Sequence, residues 1–99
     1  MGTAAELRLD GELTIYRAAE LKPVLLAAVA EHPVLEIDLS QVAEFDSAGL
    51  QLLLLAKREA LAAGRTLRLA NHSPAVLDVL ERFDLAAHFG DPLVMPQAA

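Results

Sequence analysis

The chain contains no cysteine, so any covalent chemistry must use hydroxyls, carboxylates or the three histidines. A thiolate nucleophile, a disulfide and a Cys-ligated metal site are excluded. The most informative residues stand together in Phe45-Asp46-Ser47-Ala48-Gly49-Leu50, which opens the longest periodic segment. A helix starting there presents free N–H groups and the positive end of its dipole, which stabilise a hydroxyl oxygen or a phosphate. Three chemistries fit this run. Ser47, or Asp46 before it, is an N-cap contributing about 1 kcal/mol. Alternatively Ser47 is a nucleophile in a strand-to-helix elbow, but that motif is Gly-x-Ser-x-Gly, position 45 is Phe, and no activating base is identifiable. In the third, Ser47 accepts a phosphoryl group, whose charge of about −1.5 to −2 acts on a partner beside Asp46 and Glu44.

Other candidates are weaker. His32, His72 and His88 are far apart and lack the i, i+4 pairing of a helical zinc site, so solvated or capping histidines are expected and no metal or other cofactor is assigned. Asp10, Asp38 and Asp46 could form the acidic cluster of a phospho-accepting receiver domain, but the adjacent acidic pair after a first strand is missing. Gly64-Arg65-Thr66 lacks the run Gly-x-x-x-x-Gly-Lys that cradles a nucleotide's phosphates. The chain therefore reads as a non-enzyme, and any kinase acting on it is a partner. No lysine or arginine stands between Lys22 and Lys57, whereas Glu31, Glu36, Asp38, Glu44 and Asp46 are acidic. This is a solvated face, or one that steers a basic partner surface. Glu36 and Asp38 are expected on the exposed or edge side of their strand.

These residues need elements to hold them. Leu7-Arg8-Leu9 and Leu13-Thr14-Ile15 alternate apolar with polar, the period of a half-buried strand, and Asp10-Gly11 between them is either a hairpin turn or a bulge within one longer strand. From about Ala18 to Glu31, Leu21, Val24, Leu25, Ala28 and Val29 recur at helical steps. Pro23 places the regular helix from near Lys22, or kinks it there, and Pro33 stops it. Val34–Leu39 reads as a central strand. Ser47–Ala63 is the longest helix, ended by Gly64 where a left-handed C-cap residue is favoured. Thr66–Ala70 is the next strand. Ser73-Pro74 supplies an N-cap and a first-turn proline for a helix through Val76, Leu77, Val79, Leu80 and Phe83. A short turn or helix with Leu85 and Phe89 and an extended Leu93-Val94-Met95 complete the pattern. Alternating strands and helices imply an α/β fold, a small mixed, mostly parallel β-sheet packed by helices.

The 99 residues and 55% hydrophobic content suit one domain spanning 1–99 with one core. The longest unbroken apolar stretch, Val24 to Ala30, falls far short of the roughly 18 residues that cross a bilayer, so neither membrane insertion nor a signal peptide is expected. The net charge of −6 repels a phosphate backbone and excludes nucleic acid as a natural partner. The absence of cysteine suits a reducing cytoplasm.

In company, several segments identify a resemblance. Leu9-Asp10-Gly11-Glu12-Leu13, then Leu35-Glu36-Ile37-Asp38-Leu39-Ser40 with Val42, then Phe45-Asp46-Ser47-Ala48-Gly49-Leu50, and finally Ser73-Pro74-Ala75-Val76 resemble a STAS domain, the domain of sulfate transporters and anti-sigma factor antagonists. The resemblance runs from about Leu7 to Pro92, in order and at the family's spacing. It implies the STAS fold and regulation by binding. In the anti-anti-sigma branch the serine after the aspartate is phosphorylated by a serine kinase that is also the anti-sigma factor, which breaks binding, and that serine corresponds to Ser47. Other members are subunits of phospholipid-transport ABC systems, where the partner is the ATPase subunit, or chemotaxis-linked adaptors.

The helix after Ser47 supports a docking surface without the resemblance. Gly49, Leu52, Leu53, Ala56, Ala60 and Ala63 form an apolar arc that packs on a sheet, and Ser47, Gln51 and Arg58 lie opposite. Leu50, Leu54 and Leu61 flank that polar stripe. They either form an outward apolar patch for a partner or are covered by a neighbouring helix of the same chain. The expected partner-binding set is Asp46, Ser47, Ala48, Gln51, Leu54 and Arg58.

Overall fold

The computed structural model describes residues 5–83. Strands and helices alternate throughout: β1 (Ala5–Leu13), α1 (Ile15–Glu31), β2 (Val34–Phe45), α2 (Ser47–Ala62), β3 (Thr66–Ala70) and α3 (Pro74–Phe83). The segments around Leu85, Phe89 and Leu93-Val94-Met95, and His88, lie outside the described residues.

The sheet has the order β1-β2-β3, and both pairings are parallel. Asp10-Gly11 is therefore not a hairpin turn. Both halves of the first apolar run pair with the same strand, Leu7 opposite Ile37 and Leu13 opposite Phe45, so they form one strand. The register shifts between Arg8 and Asp10 and again between Gly11 and Glu12, each time with an extra residue on β2. Bulges of this kind bend and twist a strand pair. Gly11 has φ +72°, a left-handed conformation that glycine adopts without steric cost. The Arg17 guanidinium clamps the irregular stretch from α1, its Nη1 donating to the carbonyls of Asp10 at 2.7 Å and Glu12 at 3.3 Å.

Helix α1 starts at Ile15, well before Lys22, because the Thr14 hydroxyl caps it by accepting from the Tyr16 N–H. Pro23 lies inside this helix. It is exposed, and so is Ala19, whose carbonyl loses its helical donor to the proline, so water can satisfy that group. Leu21, Leu25 and Val29, spaced by four, are buried. At the end of α2, Gly64 (φ +72°) donates its N–H to the Leu61 carbonyl and Arg65 donates to that of Ala60. This pair of bonds is a Schellman C-cap. Helix α3 opens as its sequence predicts, with the Ser73 hydroxyl accepting from the Val76 N–H beside Pro74.

Helices α1 and α2 pack against each other on one side of the sheet, as two crossovers of the same hand stepping the same way require, and α3 packs on β2. Leu13, Leu25, Leu35, Ile37, Leu39, Leu53, Leu67 and Leu80 are fully buried in the shared core. The opposite parity of the strands carries charge. Register sets Arg8 beside Asp38 and Arg68 beside Glu36, forming ion pairs of 3.5 and 3.9 Å. Glu36 is half-buried, but Asp38 is only 3% exposed, contrary to the expectation of an exposed side chain. The Ser40 N–H donates to Asp38 Oδ1 at 2.9 Å. That bond first, then the Ser40 hydroxyl, hold the Asp38 carboxyl below its ordinary pKa against the opposing effect of burial, with Arg8 and Asn71 assisting.

Candidate functional site

Strands β1 and β2 end side by side, Leu13 opposite Phe45, and each leads at once into a helix. The two helix starts are tied by one side chain. Asp46 Oδ1 accepts from the N–H groups of Ala48 at 2.9 Å and Gly49 at 3.1 Å, while its Oδ2 accepts from the N–H of Ile15, the first residue of α1, at 3.1 Å. Asp46 is thus the N-cap of α2 and also satisfies a donor that α1 leaves open. Ser47, the first residue of α2, is exposed and takes no part in the cap.

Gly49 explains how closely the elements meet. A Cβ at this position would stand 2.0 Å from the carbonyl oxygen of Leu13, so the first turn of α2 rests directly on the backbone at the end of β1. In Asp46-Ser47-Ala48-Gly49 the aspartate and glycine therefore build the junction and the serine faces solvent.

The remaining residues of the expected docking set separate. Gln51 and Arg58 are exposed and Ala48 is half-buried. Leu50, expected to flank an outward stripe, is only 6% exposed and belongs to the core, with α1 packed along α2. Leu54 is half-buried and packs against the core, whereas Leu61 is 66% exposed. Leu54, Lys57, Arg58 and Leu61 line a shallow depression further along α2, where Lys57 Nζ donates to the Leu67 carbonyl at 2.9 Å.

Two residues of this surface were not anticipated. Ile15 is 66% exposed and Tyr16 86% exposed, beside the Asp46 junction. Ile15 reads as a strand residue when Leu13-Thr14-Ile15 is taken for alternation. The available signal was Thr14 as a helix cap, since extending the helical period back from Leu21 places Tyr16 roughly opposite the buried stripe.

Asp10, Asp38 and Asp46 do not converge, and among the described residues no group of three or more histidine or acidic side chains could hold a metal ion. His32 is half-buried with Nε2 4.0 Å from Glu31, and His72 is half-buried. Among the described residues no helix is long and apolar enough to cross a membrane.

Comparison with known proteins agrees with this architecture. The family model described as Mlab, STAS domain matches residues 1–95. The unphosphorylated anti-sigma factor antagonist SpoIIAA superposes with a TM-score of 0.70 at 24% identity, covering 95% of this chain and 85% of that one. The phosphorylated form of SpoIIAA, a Bacillus cell fate determinant, gives 0.65 at 24% identity over 95% and 88% of the two chains. The STAS domain of a SulP transporter from Vibrio cholerae gives 0.66 at 19% identity over 92% and 74%. A search of curated proteins gave no match.

Proposed function

Because this chain belongs to the STAS domain family, we propose that it is a non-enzymatic switch of the bacterial cytoplasm that docks a protein partner at the start of α2 and is controlled by phosphorylation of Ser47. The observation that carries this reading is the division of labour in the junction: Asp46 supplies the cap, and the Ser47 hydroxyl stays exposed and outside the cap. A kinase can therefore modify Ser47 without removing a bond that holds the fold.

The N–H groups of Ala48 and Gly49 are already given to Asp46, so a phosphate on Ser47 would project outward as a solvated dianion. The positive end of the α2 dipole stabilises it there, and the domain stays folded. A partner closing over Ser47 would have to strip water from that dianion beside Asp46, a large desolvation cost, and binding weakens. The partner on this reading is an anti-sigma factor or serine kinase of the kind the family's anti-sigma factor antagonists engage.

A second reading keeps the docking face and drops the switch: a constitutive STAS subunit of a phospholipid-transport ABC system, binding its ATPase subunit. It is favoured by the completeness of the Asp46 junction, which needs no modification to hold both helices. Affinity capture of the tagged chain from its host, with intact-mass measurement of Ser47 phosphorylation, decides between them. The switch requires a phosphorylated fraction, loss of the captured partner in Ser47→Asp and its retention in Ser47→Ala. Equal capture by both variants would overturn it.

A further inference from the structure

We infer that the docking surface extends across the junction onto the first turn of α1, with Ile15 and Tyr16 as its apolar anchors, and that it accepts a protein segment presenting an apolar patch ringed by lysine or arginine. The inference rests on the proposed docking role of the Ser47 face and adds the chemistry of what docks there. Continuity comes from the backbone. Ile15 donates to the side chain of Asp46, the residue preceding Ser47, so the exposed Ile15-Tyr16 pair and the exposed serine belong to one end of the molecule. A lone exposed apolar residue is ordinary, but an adjacent isoleucine and tyrosine have the large, amphipathic surface that interface centres favour.

Charge around the pair selects the partner. Glu12 and Glu44 are register partners at the ends of β1 and β2, and Asp46 and Glu20 extend the acidic rim. Between Arg8 and Lys22, and from Val42 up to Lys57, the sole lysine or arginine is Arg17. Its guanidinium is occupied by the carbonyls of Asp10 and Glu12 and by the Glu20 carboxylate at 3.4 Å. Arg17 offsets one of these four carboxylates, that of Glu20, and the rim keeps a net negative charge, so an acidic or neutral surface is disfavoured and a basic one is steered in. Cations at the rim meet the exposed carboxylates of Glu44 and Glu20, while those of Glu12 and Asp46 are half-buried and add to the field. A phosphate on Ser47 would instead lie beneath the contact, where desolvation outweighs attraction.

The test titrates ¹⁵N-labelled protein with two synthetic amphipathic peptides of identical leucine spacing, one with lysine and one with glutamate at the polar positions. The lysine peptide should shift the amides of Ile15, Tyr16, Ala48 and Gln51 and bind less tightly as salt rises. Tyr16→Ser should weaken it about tenfold, the scale of an interface anchor. Glu44→Lys should weaken it and flatten the salt dependence, with both variants melting as the wild type does. Shifts confined to α3, equal binding of the glutamate peptide, or sedimentation showing that Tyr16 is covered by a second copy of this chain would each overturn the inference. In capture of the host partner, loss in Ser47→Asp with full retention in Tyr16→Ser and Glu44→Lys would sink this inference and leave the Ser47 reading standing. Retention in all three would sink both.

Discussion

Gly49 and Leu13 meet so closely that a single added carbon would fall 2.0 Å from the Leu13 carbonyl oxygen. The obstacle is backbone at the end of a buried strand and not the flexible end of a side chain, so it cannot swing aside. Gly49→Ala should therefore cost about 3 kcal/mol, the upper range for overpacking, although alanine is the better helix former by about 1 kcal/mol. Chemical denaturation reads this directly. An unchanged midpoint would show that α2 does not rest on β1.

Asp46 and Ser47 are neighbours with opposite structural weight. Asp46→Ala removes the acceptor for three backbone N–H groups on two helices and should cost about 2 kcal/mol, which in a domain of this size lowers the melting temperature by roughly 4–8 °C per kcal/mol. Ser47→Ala should change stability by no more than about 0.5 kcal/mol, as exposed positions do. Parallel thermal melts check the pair, and equal losses would return the cap to Ser47.

Leu54 and Leu61 separate the packed from the open part of the α2 surface. Leu54→Lys should cost about 1–2 kcal/mol, because a half-buried side chain in contact with the core loses apolar burial, although the lysine stem can carry its charge out to water. Leu61→Lys should stay within about 0.5 kcal/mol. Urea melts of the two variants should differ in midpoint, and coincident curves would contradict the packing of Leu54.

Asp38 sets an acid limit on stability. Its folded pKa lies below the unfolded one, so its contribution is fully present above the unfolded value of about 3.9 and disappears as pH falls through the folded value. Between neutral pH and about pH 3 the stability advantage of the wild type over Asp38→Asn should shrink. A constant difference across that range would show that the Ser40 and Arg8 contacts do not favour the charged form.

What the sequence determined by itself was whatever adjacent residues decide together. Gly64 ends α2 because only the next turn is involved, Ser73-Pro74 starts α3 through bonds three residues long, and the alternation of Thr66–Ala70 is already a strand. Tertiary structure decided which segments meet. Asp10-Gly11 satisfies a hairpin or a bulge equally well until β2 pairs with both halves of β1. Capping potential at Thr14 and Asp46 is local, but the carboxylate that joins them spans 31 residues of sequence. Helical period gives the angle of Leu50 on α2, whereas its burial depends on the core that the other elements close around it. Hydrogen-bond geometry along one segment is set by its own backbone. Burial, ion pairing and exposure at Leu50, Asp38 and Tyr16 depend on surfaces brought together only when the chain closes on its core.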